Sequence, residues 1–250
     1  TERRVYREKA AVRCSVQAAL LHKELGRFTA SPNYMLNCGL GILLMPVAGV
    51  MLVWKGGDIE AALGSAPDTA GMLPVLLAAA VCMLVSMNDM AAPSVSLEGK
   101  SLWLAQSLPV TPWQVLQAKL EMQVLLTAVP AAVCLLCAVL AISMTAAEAV
   151  LMAVISLLFV ALSALLGLFL GLKMPNLTWT SEIAPIKQSA CVTIALFGGW
   201  AYALLPGVAA DGLEAGLADV VLHFARIGLR RLLIDAQRHK EPGQGVVPVQ

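Results

Sequence analysis

The sequence has little charge. Only 13% of its 250 residues are Asp, Glu, Lys or Arg, where a soluble domain carries about a quarter. The 17 basic residues nearly balance the 16 acidic ones, for a formal net charge of +1. No basic tract is interleaved with aromatics, so the electrostatic footprint of a nucleic-acid-binding protein is missing. Histidine is scarce too, with 3 in the chain. No His pair and no second Cys pair exists to complete a zinc site beside Cys134 and Cys137. A Walker A motif is also lacking. Glu98-Gly99-Lys100-Ser101 ends like one, but Ser94 stands where its first glycine belongs. The chain is therefore expected to have no ATPase site, no enzymatic activity and no cofactor.

Apolar residues fill the space that charge leaves. They make up 59% of the chain, and the mean hydropathy is +0.79. A soluble fold of this size cannot bury that much apolar surface, whereas lipid can. A bilayer core takes about 20 apolar residues of helix. Runs of suitable length cover 34–54, 68–87, 122–144, 147–172 and 189–205. A sixth run, 213–234, is weak because it holds Glu214, Asp219, His223, Arg226, Arg230 and Arg231. Each charge at a bilayer centre costs about 2.5–3.5 kcal/mol. The five strong runs show no ionisable group near their centres. An intramembrane hydrolase or an ion-coupled secondary transporter would normally need one. Asp219, His223 and Arg226 share one face of the weak run, which reads as a charged interfacial or helix-end face. The six cysteines lie mostly inside apolar runs, and Cys134-Leu-Leu-Cys137 reads as packing on a lipid-embedded helix.

Loop charge sets the expected orientation. Before the first run, 7 basic residues oppose 3 acidic ones, which places the N-terminus in the cytoplasm. The connections then alternate in basic content through six spans, and a cytoplasmic tail with Arg238 and Lys240 closes the pattern. In 12–28, Val12, Val16, Ala19, Leu20 and Leu25 recur roughly at helical spacing among Arg13, His22, Lys23, Glu24 and Arg27. That pattern suits an amphipathic helix at the inner interface, and Ser31-Pro32-Asn33 would end it. The resulting expectation is an all-α polytopic transmembrane bundle of about six spans. Residues 1–33 form its cytoplasmic or interfacial segment, 34–234 its transmembrane domain and 235–250 a flexible polar tail.

The connection after the second span is the most informative stretch. Residues 96–108 have an amphipathic helical pattern with Leu97, Leu102, Trp103, Leu104 and Leu108. Leu108-Pro-Val-Thr-Pro112 is a stiff turn, in which Thr111 can cap a helix that has Pro112 at its first position. Glu98, Gly99, Leu104, Leu108, Pro109, Val110, Thr111, Leu116 and Lys119, with Lys23-Glu-Leu-Gly-Arg27 and Ser31-Pro32 upstream, form a recurring pattern. It resembles that of the ABC-2 type permeases, the membrane subunits of ATP-binding-cassette exporters. The resemblance covers roughly 20–206, and the charged, Gly/Pro-rich tail departs from it. A second cytoplasmic patch in 177–189, with Trp179, Glu182, Ile183, Lys187 and Gln188, is a looser match.

The resemblance implies a bacterial cytoplasmic-membrane exporter subunit that moves a peptide, drug or lipid-like substrate. A separate ATPase subunit would supply the energy. It also implies pairing with a second membrane half, as a homodimer or heterodimer. Larger members of such families carry further spans upstream, so a chain starting at Thr1 also suits a C-terminal half. The coupling loop would dock on the ATPase through Glu98, Gly99, Lys100, Trp103, Leu108, Pro109 and Trp113. The expected anchors are Trp103 and Trp113, and the expected partners for ATPase charges are Glu98 and Lys100. Ser163, Gly167 and Gly171 fall four apart, a spacing that allows close helix contact. They serve either packing within the chain or a dimer seam. A secondary transporter or a non-transporting membrane scaffold is the alternative.

Overall fold

The computed structural model describes residues 14–64, 72–99, 107–187 and 189–208. The expected sixth span, the polar tail, Lys100 and Trp103 lie outside them. Among the described residues all regular structure is helical. The elements are α1 (Val16–Ala30), α2 (Pro32–Cys38), α3 (Leu40–Gly64), α4 (Met72–Ser86) and α5 (Ala91–Leu97). After them come α6 (Pro112–Ala141), α7 (Ala146–Lys173), α8 (Ile183–Lys187) and α9 (Ala190–Val208).

Local chemistry sets most of the boundaries. Ser15 opens α1 by accepting from Ala18 N at 3.2 Å. Pro32 holds Ser31 in an extended conformation, which ends α1, and the Ser31 hydroxyl then caps α2. Two longer helices open on capping boxes, Thr111 with Gln114 for α6 and Thr145 with Glu148 for α7. The start of α6 is the one the sequence predicts, although the helix begins ten residues before the apolar run at 122.

Four stretches are long and apolar enough to cross a membrane: Leu40–Ala62, Leu73–Leu97, Pro112–Ala141 and Ala146–Lys173. Together they mark a membrane-embedded protein. The bundle packs α3 on α6, α6 on α7, and α4 on both α7 and α9. Met45, Val85, Ala131, Cys134, Phe159 and Val160 fill its core. Large apolar side chains also cover the outside: Trp54 is 76% exposed and Leu140 74%. Such continuous apolar surface fits lipid rather than water. Cys134 and Cys137 are free thiols that pack beside Gly49, as their apolar surroundings suggest.

Two readings of the sequence need correction. First, the second span does not give way to a surface loop at Asn88. The chain breaks over 87–90 and turns helical again as α5, where Ala91, Ala92, Ser94 and Ser96 are fully buried. Asn88, Asp89 and Pro93 look like loop residues by local propensity. A tertiary bond overrides them, because Gln123 Oε1 accepts from Ala91 N at 2.7 Å, and a local one adds to it, with Asp89 Oδ1 accepting from Ala92 N at 3.4 Å. An acidic residue, Asp89, therefore lies buried within a spanning segment after all. Second, the inward face of α1 is Leu20, Glu24 and Phe28, and Val16 is 49% exposed. Of the two roles left open for the small residues of α7, Gly167 and Gly171 pack within the chain. A side chain at Gly167 would collide with Asp89, and one at Gly171 with the Ala92 carbonyl.

Candidate functional site

The site lies where α1, the end of α5 and the first turns of α6 meet. Each contributes charge. Glu24 projects from the buried face of α1, Glu98 from the turn that ends α5, and Lys119 from two turns into α6. Lys119 is 1% exposed, and its Nζ sits 3.2 Å from Glu24 Oε2 and 3.2 Å from Glu98 Oε1. The Ser94 carbonyl accepts from the same ammonium at 3.3 Å. Lys23 and Arg27 close the outer side. Lys23 Nζ lies 2.9 Å from Glu98 Oε1, while Arg27 Nη1 is 3.6 Å from Glu98 and 3.7 Å from Glu24. Three cations thus enclose two carboxylates.

This composition sets the electrostatics. Burial by itself would raise the pKa of Glu98. Lys119 works against it, followed by the Lys23 hydrogen bond and charge and by Arg27, and together they bring Glu98 down to about 2. Glu98 is therefore ionised at any physiological pH. Its charge is met inside the chain and is not presented to a partner, contrary to the docking role expected of it. Its job is to tie the end of α5 to α1 and α6. The seam extends outward through Gln17, which donates to Glu121 Oε2 at 2.9 Å.

The second sequence patch belongs to the same assembly. Gly99 lies so close to the 174–182 connection that a Cβ there would be 2.8 Å from the Leu177 carbonyl oxygen. Trp179 Nε1 donates to the Ser96 carbonyl at 2.7 Å, and Asn176 N donates to Ser96 Oγ at 3.0 Å. Ser31 Oγ donates to Glu182 Oε2 at 3.1 Å. Beneath these bonds Phe28, Tyr34, Met90, Met122 and Ile186 form a separate apolar cluster. Phe28 and Tyr34 meet edge to face at 5.2 Å, and the Tyr34 hydroxyl donates to the Met90 carbonyl at 2.6 Å.

The remaining candidates divide cleanly. Leu108 is 40% exposed, Trp113 41%, and Pro109 is exposed as well. They stand at the capped start of α6, beside the ion cluster but outside it. Ser163, Gly167 and Gly171 lie elsewhere, against the α4–α5 break and α5. The sequence reading missed the role of Glu24. A carboxylate four residues from both Leu20 and Phe28, on the apolar face of α1, was the signal for it. Among the described residues no group of three or more His, Cys, Asp or Glu is placed to hold a metal. Comparisons with protein-family models, with curated proteins and with solved structures give no match.

Proposed function

We propose that this chain is the membrane permease subunit of an ATP-binding-cassette exporter, driven by a separate ATPase. One observation supports the reading best. A buried ion cluster welds α1 and the end of α5 to α6, and it leaves Leu108, Pro109 and Trp113 exposed at the tip of that helix. A force applied at the tip then travels along a 30-residue helix, about 45 Å of it, instead of dissipating in a loop. The motif residues of the resemblance fall on both sides of this joint, Glu98 and Lys119 within it and Leu108 and Pro109 on its surface.

In this reading the ion-cluster end faces the cytoplasm of a bacterial cell. The α1 helix lies at the inner interface, α9 is the fifth span and 213–234 the sixth. Lys100 and Trp103 extend the docking face, and a second membrane half, identical or related, completes the pathway. The cargo is peptide, drug or lipid-like. The test is co-purification with an ABC ATPase encoded beside this chain. Trp113→Ala combined with Leu108→Ala is expected to cut recovery of the ATPase at least tenfold while the subunit still inserts. Full recovery, or an ATPase rate indifferent to this subunit, would sink the proposal.

A second reading draws on the α4–α5 break, since a span interrupted around a buried carboxylate is the architecture of ion-coupled carriers. Uptake by proteoliposomes under an ion gradient, without ATP, would favour it.

A further inference from the structure

A cavity of about 200 Å³ opens between α7 and α9, against the α4–α5 break. Ser86, Asn88, Asp89 and Gln123 supply its polar wall, and Ser163 and Tyr202 add hydroxyls. Much of that wall has no partner inside the chain. Asn88 is fully buried, yet neither its Oδ1 nor its Nδ2 is bonded; Asp89 Oδ2, Gln123 Nε2 and the Tyr202 hydroxyl are also unbonded. Buried polar side chains are nearly always satisfied, and each orphan costs about 1–3 kcal/mol. Several orphans around one cavity point to an occupant from outside the chain.

Charge narrows the choice of occupant. Asp89 is 6% exposed, and no Lys or Arg pairs with it among the described residues. The nearby cations of the ion cluster are taken by Glu24 and Glu98. A bare carboxylate inside a membrane bundle is costly, so something must neutralise it. A proton would do so but would leave the cavity unfilled and the Tyr202 hydroxyl unpartnered. A divalent ion would leave excess positive charge beside a single carboxylate. The available acceptors are hard oxygens from carboxylate, amide and hydroxyl groups, which suit alkali cations rather than transition metals. The C-terminal end of α4, the negative end of its dipole, also points at the break. At about 30 Å³ per water, the volume leaves room for an ion with several waters, which the amide N–H groups would hold.

We propose that the cavity at the α4–α5 break binds one small monovalent cation of sodium size. Asp89 Oδ2 supplies the charge, and the Ser163 and Tyr202 hydroxyl oxygens of the cavity wall complete the shell. This proposal stands whether or not an ATPase drives the chain, because it needs only the chain itself.

The test uses the full chain in lipid nanodiscs with radiolabelled sodium, and thermal unfolding in sodium, potassium or N-methylglucamine chloride at constant ionic strength. Saturable binding is expected, with sodium giving the highest midpoint. Asp89→Asn should reduce affinity more than tenfold. Should that variant fail to fold, Ser163→Ala provides the check. Its hydroxyl lines the cavity and otherwise bonds only back to Val160 O, so affinity should fall several-fold with the fold retained. Infrared difference spectra of the unsubstituted chain should show a carboxylate at Asp89 in sodium buffer. A protonated carboxyl band that ignores sodium, or binding unchanged in both variants, overturns the proposal.

Discussion

Lys119 shows what a single residue can hold together. Among the described residues its ammonium is the one group that touches Glu24, Glu98 and the Ser94 carbonyl at once. Replacing it by methionine keeps the volume but leaves two buried carboxylates facing each other. Breaking a buried ion pair from one side costs about 3–5 kcal/mol. Lys119→Met is therefore expected to lower stability by about that much in denaturant unfolding of the purified chain, more than exposed Lys55→Met, whose partner Asp58 is solvated. Glu98 adds a pH dependence of definite sign. Its folded value of about 2 lies below the ordinary 4.5, so its contribution is complete above 4.5 and is lost as pH falls toward 2. In unfolding measured at steps across that window, the stability gap between the unsubstituted chain and Glu98→Gln should close. Glu98 and Lys119 were legible in the sequence as motif residues. Their partnership with Glu24 was not, because Glu24 is 95 residues from Lys119 and nothing local pairs the two.

Glycine gives a paired test that begins with one residue and is read out on an element. Gly99→Ala forces backbone apart, since the Leu177 oxygen and Cα would sit 2.8 and 3.0 Å from the new carbon. Gly57→Ala, in α3, meets nothing within 4 Å and should be neutral or stabilising by up to about 1 kcal/mol. Hydrogen exchange across 174–182 should rise in the first variant and not in the second. The same scale explains which helix starts could be read in advance. Thr111-Pro112 announces α6 locally, through a cap and a proline that the structure retains. The start of α5 has only a weaker local signal, Asp89 accepting from Ala92 N, and its first N–H is satisfied by Gln123 from another helix. Gln123→Leu leaves that N–H orphaned, at about 1–3 kcal/mol. Exchange should quicken at Ala91 and Ala92 while the α6 cap stays protected. Uniform quickening would mean that the break is not held by this bond.

At the scale of the whole molecule, the packing assigns each connection to an end of the bundle. The ion cluster brings residue 24, residue 98 and the first turns of α6 together. At the other end Gly56 lies against the Ala141 carbonyl, which sets the ends of α3 and α6 side by side. A membrane crossed by the four apolar stretches must then separate Thr29 and Pro109 from Asp58 and Ser143. Alternating apolar runs made this legible, since span length and loop charge are local properties of a chain in lipid. The depth of the second span was harder to see, because α5 at its end is rich in Ala, Pro and Ser and is buried against α7 instead of lipid. Single cysteines at those four positions, in a chain carrying Cys14→Ser, should react with an impermeant maleimide in two groups. Thr29→Cys and Pro109→Cys should label only after the cytoplasmic side is opened, and Asp58→Cys and Ser143→Cys from outside in intact cells. Exchange of the two groups would invert the orientation drawn from the basic N-terminal segment and leave the bundle intact. Labelling of all four from one side would break the bundle itself, because no single-sided arrangement keeps Gly56 on Ala141 and Lys119 on Glu24 with these helices across a bilayer.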